Sequence, residues 1–326
     1  MTHKDELKAP VSLIRCTDYS PHRVRSAIKK LFSHLGGVEK FISKGDKVLL
    51  KPNFIIPRPI TIPAQTHPAI IVETARLLKD VGAKPLVGDS PSWGDTYRCA
   101  RALELTDSLK KLDVPLRHFS RSKRCEIPLA GVRVSISSIA LEADRIINLP
   151  KFKTHQQITA TFAVKNMFGC VCGKEKAFWH FAKGHSFEEF SRLLIGIYQL
   201  LSPCLTIIDG VVAMQGQGPI RGEPRNLGCL IASPDPIACE TICSQLVNFD
   251  PADLPIIATA KKIDFGTAEP DRIELIGDDY KNFVCTDFKP AQPSPLSFSL
   301  PRICKSVARQ LAITIKSAFR VNSRNC

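Results

Sequence analysis

An α/β fold is predicted: a mainly parallel sheet with flanking helices, arranged in two lobes and followed by a basic C-terminal helix. Three observations point there. Residues 47–88 run strand, helix, glycine, strand, the βαβ pattern of a parallel sheet. Short apolar runs such as Arg145–Leu149 alternate with segments of helical period. Five of the runs then end in polar, turn-forming groups, as strands of open α/β sheets do where ligands bind.

The elements follow in order. Val11–Arg15 reads as a strand and 22–35 as a helix. Lys47–Lys51 reads as a buried strand that stops at Pro52, which has no N–H to give to a ladder. A proline-rich loop (Pro52, Pro57, Pro59, Pro63) leads to a helix over 68–81, with Ile70, Ile71, Ala75, Leu77, Leu78 and Val81 on one face and Gly82 closing it. Pro85–Gly88, Leu116–Phe119, Val132–Ile136 and Arg145–Leu149 are further strands. Ser186 with Glu189 three residues on starts a helix running to Leu201. Leu205–Ile208 and Gly228–Ala232 are strands, and 235–247 is a helix with Pro236 at its first position. A helix over 254–263 and a strand over 272–276 complete the set.

The expected organisation is a first lobe over 1–150, a second over 151–286, a Pro/Ser linker over 287–300 and a tail helix over 301–326. The formal charge is +14, and Arg302, Lys305, Arg309, Lys316, Arg320 and Arg324 place six positive charges in the tail. Such a balance invites nucleic-acid binding, but aromatics make up only 7% and no helix-turn-helix or base-stacking strand stands out, so that partner is set aside. The tail interleaves Ile303, Val307, Leu311, Ile315 and Phe319 with its basic residues, which suits either an anionic membrane surface or the protein's own surface. No apolar run reaches the ~20 residues a span needs, and Met1–Glu6 is polar. The expected location is the cytoplasm, with attachment at a membrane periphery as the alternative. The 12 cysteines include no CxxC pair, so neither an iron–sulfur nor a zinc motif is present, and the cofactor stays open.

The strand ends carry the chemistry. Lys51-Pro52-Asn53 follows one strand, Gly88-Asp89-Ser90-Pro91 the next, and Pro150 through His155 a third. Asp209-Gly210 and Ser233-Pro234-Asp235-Pro236 follow two more. Asp, Asn, Ser and Gly there are ordinary turn formers, but lysines and a histidine are not needed by a turn. Lys151, Lys153 and Lys165, the last followed by Asn166, bring three ammonium groups that repel one another unless an anion neutralises them, which suits phosphate or carboxylate; the bland alternative is solvated surface lysines. Gly216, Gly218 and Arg221 lie in a Gly-rich loop that turns N–H groups toward an anion or simply makes a tight turn. His155 and His180 are candidates to move a proton; His185 has less around it. Asp89, Asp209 and Asp235 act as bases, hold a divalent ion or pair with the lysines.

Taken in order, VLLKPN (Val48–Asn53), THP (Thr66–Pro68), GDSP (Gly88–Pro91), NLPKFKTH (Asn148–His155), KNMFGC (Lys165–Cys170), GKEKAFWH (Gly173–His180), DG (Asp209–Gly210), MQGQGPIRGEPR (Met214–Arg225) and SPDPIACE (Ser233–Glu240) resemble the DUF362 family. The resemblance implies a shared site at these positions and carries no agreed activity. Gln215 stands where the pattern has Glu, Cys172 where it has proline, and Glu240 where it has aspartate. Many relatives end in a ferredoxin-like module; Cys304 and Cys326 cannot build a cluster alone, so an electron-transfer role here needs a separate iron–sulfur partner. Residues 51–89 are also faintly similar to the N-terminal domain of nickel-dependent lactate racemases, a likeness of fold. The resulting expectation is an enzyme for a small anionic metabolite. Lys51, Asn53, Ser90, Lys151, Lys153, Lys165 and Asn166 would hold the anion, His155 or His180 would move a proton, and Asp89 or Asp209 would orient it. A redox-associated protein and a non-catalytic ligand- or membrane-binding protein are the alternatives.

Overall fold

The computed structural model describes residues 8–173 and 175–296. Its elements run β1 (Ala9–Arg15), α1 (Pro21–His34), β2 (Lys47–Pro52), α2 (Pro68–Asp80), β3 (Lys84–Asp89), α3 (Thr96–Ala102), α4 (Thr106–Lys111) and β4 (Leu116–His118). Next come β5 (Ser122–Ile127), β6 (Val132–Ser137), α5 (Ser138–Leu141), β7 (Arg145–Leu149), β8 (Lys151–His155), β9 (Thr159–Thr161), α6 (Glu175–Ala182) and α7 (Phe187–Leu201). The rest are β10 (Leu205–Gln215), β11 (Glu223–Ser233), α8 (Pro236–Leu246), α9 (Pro255–Lys262) and β12 (Ile273–Gly277).

Ten of the strands form one sheet, ordered β12-β1-β11-β10-β7-β2-β3-β4, with β8 beside β10 and β9 beside β8. Most pairings are parallel; β11 runs antiparallel to both its neighbours, and β9 antiparallel to β8. Alternation along the strands divides two cores. Val48, Leu50, Ile147 and Ile207 face α1 and α2 on one side. Leu49, Ile146 and Ile208 face α7, α8 and α9 on the other. The sheet is thus apolar on both faces, as a parallel sheet between helix layers must be. Residue 150 falls between β7 and β8, which both lie along β10.

The helix signals act as the sequence implies. The Ser186 hydroxyl accepts from the Glu189 N–H at the start of α7, and Asp235 accepts from the Ile237 and Ala238 N–H groups at the start of α8. α2 starts on Pro68, with the His67 imidazole accepting from the Ala69 N–H.

Several expectations need correction. β2 takes in Pro52, whose missing N–H falls at the strand's last position. Residues 151–155, expected as a strand end, are themselves a strand. Pro150 donates nothing, but its carbonyl accepts the Asp209 N–H at 2.9 Å, so alignment with β10 survives the proline. β10 runs on to Gln215, which places Asp209 and Gly210 inside a strand. The expected strand over 132–136 leaves the main sheet and pairs with β5 in a two-stranded ribbon. That ribbon packs its Ile127 over Gly196 of α7, where a Cβ would lie 2.3 Å from the Ile127 side chain. The tail helix lies outside the described residues.

Candidate functional site

Five lysines converge where β2, β3, β8 and the turn Val164–Cys170 meet α6. Lys51 and Lys151 are paired. Lys51 Nζ lies 2.8 Å from Asp89, and Lys151 Nζ lies 2.8 Å from Asp209. Asp89 also accepts the Phe54 and Ser90 N–H groups, at 2.8 and 2.7 Å. Asp209 also accepts the Tyr19 hydroxyl at 2.8 Å and the His67 N–H at 2.9 Å. A buried carboxylate is tolerable only with such a set of donors. Tyr19 stacks on the His67 ring at 3.5 Å and takes a second bond from Lys151. Burial lowers the Lys151 ammonium while Asp209 opposes the change. Burial also lowers His67 to about 4, so its imidazole is neutral.

The other three lysines have no carboxylate among the described residues. Lys153 donates to the Asn53 side-chain oxygen and to the Ala64 carbonyl. Burial, then the charges of Lys151 and Lys165, lower it to about 7. Lys176 donates to Ser90 and to the Val171 carbonyl, and burial lowers it to about 8. Lys165 sits over two rings, 4.5 Å from the centre of Phe168 and 5.2 Å from that of Phe190, and burial lowers it to about 7. Lys51, Lys151 and Lys153 are 1, 2 and 3% exposed, whereas Lys165 and His155 keep partial contact with solvent. The cluster therefore opens at Lys165 and His155.

Amides tie the two halves together. Asn53 donates to Asn166 at 2.9 Å; Asn166 donates to the Lys51 carbonyl and to Asn148. Glu240 reaches from α8 to the Ala163 and Val164 N–H groups and so holds the turn that carries Lys165. Burial raises its carboxyl to about 7. Gly169 lets the turn approach, because a Cβ there would lie 2.6 Å from Asp89 Oδ1 and 2.7 Å from Lys51 Nζ. His155 accepts the Gln157 N–H at Nδ1, and burial with the charges of Lys165, His180 and Lys153 holds it well below the usual imidazole value. His180 packs on the same rings as Lys165, 5.8 Å from Phe168 and 4.6 Å from Phe190.

Of the residues expected from sequence, Lys51, Asn53, Asp89, Ser90, Lys151, Lys153, His155, Lys165, Asn166, His180 and Asp209 come together. Asp235 does not; it caps α8 and holds the Thr267 N–H at 2.8 Å. Gly216, Gly218 and Arg221 sit in the β10–β11 hairpin loop, and their N–H groups are bonded to the carbonyls of Lys289, Gly216 and Gln217. Gly218 is required by packing, since a Cβ would meet the Thr154 carbonyl at 2.0 Å. Gln215 holds the Lys289 N–H, away from the lysines. Tyr19, His67, Asn148, Gly169 and Lys176 were missed. His67, Gly169 and Lys176 lie inside the THP, KNMFGC and GKEKAFWH segments, whereas nothing near Tyr19 marked it. Two surface depressions of about 550 Å3, one around Gln245 and Tyr280 and one around Pro21 and Lys29, share no residue with the cluster. Among the described residues, no group of three or more His, Cys, Asp or Glu is arranged to hold a metal ion.

The fold and the cluster define a class: an α/β protein with a largely buried lysine cluster at the ends of β2 and β3 and along β8. The chain belongs to the family described as Domain of unknown function (DUF362), matched over residues 48–245. It is 34% identical over 312 residues to the Thylakoid-associated protein sll1697 of Synechocystis sp. (strain ATCC 27184 / PCC 6803 / Kazusa), covering 93% of this chain and 94% of that one. Among solved structures, the lactate racemase apoprotein from Thermoanaerobacterium thermosaccharolyticum is similar at 13% identity and a TM-score of 0.46. The match covers 74% of this chain and 59% of the racemase.

Proposed function

We propose that this protein is an enzyme that binds a small anionic metabolite, bearing carboxylate or phosphate, at the unpaired end of the lysine cluster. One observation carries the reading: among the described residues, five clustered lysines face two carboxylates, and Lys153, Lys165 and Lys176 have no carboxylate within ion-pair distance. Each buried ion costs several kcal/mol unless paired, so an anion bound there recovers much of that cost. Lys153 and Lys165 are the contacts, with Asn53 and Asn166 as neutral partners and His155 beside them for proton movement. Isothermal titration with inorganic phosphate and with pyruvate tests this. Lys153→Met should weaken binding by roughly 10- to 100-fold, the equivalent of one charged hydrogen bond, while melting stays cooperative. Unchanged affinity in that variant refutes the assignment.

A second reading, attachment to a membrane surface, has its own observation. Phe178 and Phe181 on α6 and Phe187 at the start of α7 are 54, 43 and 52% exposed, three phenyl rings within ten residues. The name of the thylakoid-associated relative accords with this reading. No described helix is long and apolar enough to cross a bilayer. Sedimentation with anionic liposomes should fall when Phe178 and Phe181 are both changed to Ser; equal sedimentation removes the reading.

A further inference from the structure

We propose that Lys165 is the amine that condenses with the carbonyl carbon of a short anionic aldehyde or ketone, whose charged group is held by Lys153. This deepens the anion-site reading and rests on it. Lys51, Lys151, Lys153 and Lys176 each have their Nζ bonded to oxygen. Among the described residues Lys165 has only the faces of Phe168 and Phe190. Its nitrogen is thus uncommitted, and of the five lysines it is the one that keeps partial solvent contact.

Its surroundings favour the neutral amine, which is the nucleophile. Two aromatic rings desolvate it, and Lys176 adds a like charge. A ring face also attracts an ammonium, by roughly 1–2 kcal/mol, but burial is the larger influence and brings the group to about 7. Lysines desolvated beside other cations are the ones that form imines. The charge that would recruit the substrate lies close by. Lys153 is joined to the turn carrying Lys165 through Asn53 and Asn166, and it feels the Lys165 charge directly.

The step balances without oxidant or reductant. The Nζ lone pair forms a C–N bond to the carbonyl carbon, and the C=O π pair moves to oxygen. That oxygen takes a proton, and the resulting hydroxyl leaves as water after a second. The nitrogen releases two protons overall, giving a C=N bond and one water. His155, whose Nδ1 accepts the Gln157 N–H, carries its hydrogen on Nε2 and can only give it toward the departing hydroxyl, while the protons leaving nitrogen pass to solvent, with which Lys165 keeps partial contact.

The test is reductive trapping on the full-length protein. Pyruvate, glyoxylate or glyceraldehyde 3-phosphate is added with cyanoborohydride, and the adduct is located by peptide mass spectrometry. The expected result is one dominant adduct on Lys165, absent in Lys165→Arg and reduced at least tenfold in Lys153→Met. Its yield on the unaltered protein should pass through a maximum near pH 7, because Lys165 must lose its proton while Lys153 keeps the charge that holds the anion. A pyruvate adduct identifies carboxylate as the held anion, and a glyceraldehyde 3-phosphate adduct identifies phosphate. Labelling of Lys165 no greater than that of the exposed Lys29 and Lys30 overturns the inference, as does a yield that rises only near pH 10. If the unaltered protein binds inorganic phosphate yet gives no adduct, the imine falls and the anion site stands; if it does neither, both fall.

Discussion

Lys151 and Lys153 lie two residues apart on β8, yet one faces Asp209 and the other faces only an amide and a carbonyl. Lys51 belongs with the first, and Lys165 and Lys176 with the second. The paired end behaves as structure: each carboxylate is ringed by donors, and the ion pairs brace β2 to β3 and β8 to β10. The unpaired end holds ammonium groups that burial disfavours, each lowered to about 7 or 8. Burial alone does not separate the two, since Lys151 and Lys153 are 2 and 3% exposed. The partner decides.

The comparison breaks most sharply at Asp209. Asp209→Ala strands the Lys151 ammonium and should cost about 3–5 kcal/mol in urea denaturation. Adding Lys151→Met should return most of that loss; if the double variant is no better than the single, the pair is not what braces the strands. A pH series comes next. Lys153 stands at about 7 when folded and near ~10.4 when unfolded. Between those values the unfolded chain keeps a proton that the folded one has released. Stability should therefore sit at its lower plateau below pH 7 and climb toward pH 10, by roughly 1.4 kcal/mol per unit for each such lysine. Lys176, at about 8, adds in the same direction. A flat profile in the ligand-free protein would show these ammonium groups to be already neutralised. Smaller still is Asp235→Ala, which removes the α8 cap for about 1–2 kcal/mol and should leave phosphate affinity unaltered. The smallest stability change belongs to Lys153→Met. Loss of a penalised charge offsets two acceptors left without a donor, so the net should stay within about 1 kcal/mol although binding falls.

How far the sequence reveals this depends on the length over which each interaction acts. β7 was legible to the residue because RIINL is an uninterrupted apolar run. The cap at Ser186 was legible because a cap is settled within three residues, whereas Asp235, read as a site residue, proves to be the cap of α8. Asp209-Gly210 reads as a turn, and only the antiparallel partner β11 shows that β10 continues through it. Lys151–His155 reads as a loop because proline precedes it and lysines fill it, and polar residues form a buried strand only when their partners lie elsewhere in the chain. Those partners were the least legible part. Tyr19 is 190 positions from Asp209, and no local pattern joins them. The lysines themselves were found because turn chemistry does not account for them.

One feature of the topology bears on how the protein is made. β1 lies between β11 and β12, pairing Ser12 with Ala232 and Val11 with Leu275. β1 therefore leaves the ribosome before both of the strands that dock it, on the order of tens of seconds earlier. Until then its two edges are open, and Tyr19, four residues past its end, has no Asp209 to bond. A nascent chain carries the lysines of β2 and β8 before their surroundings are complete, so synthesis itself delays the moment at which Lys151 can close on Asp209.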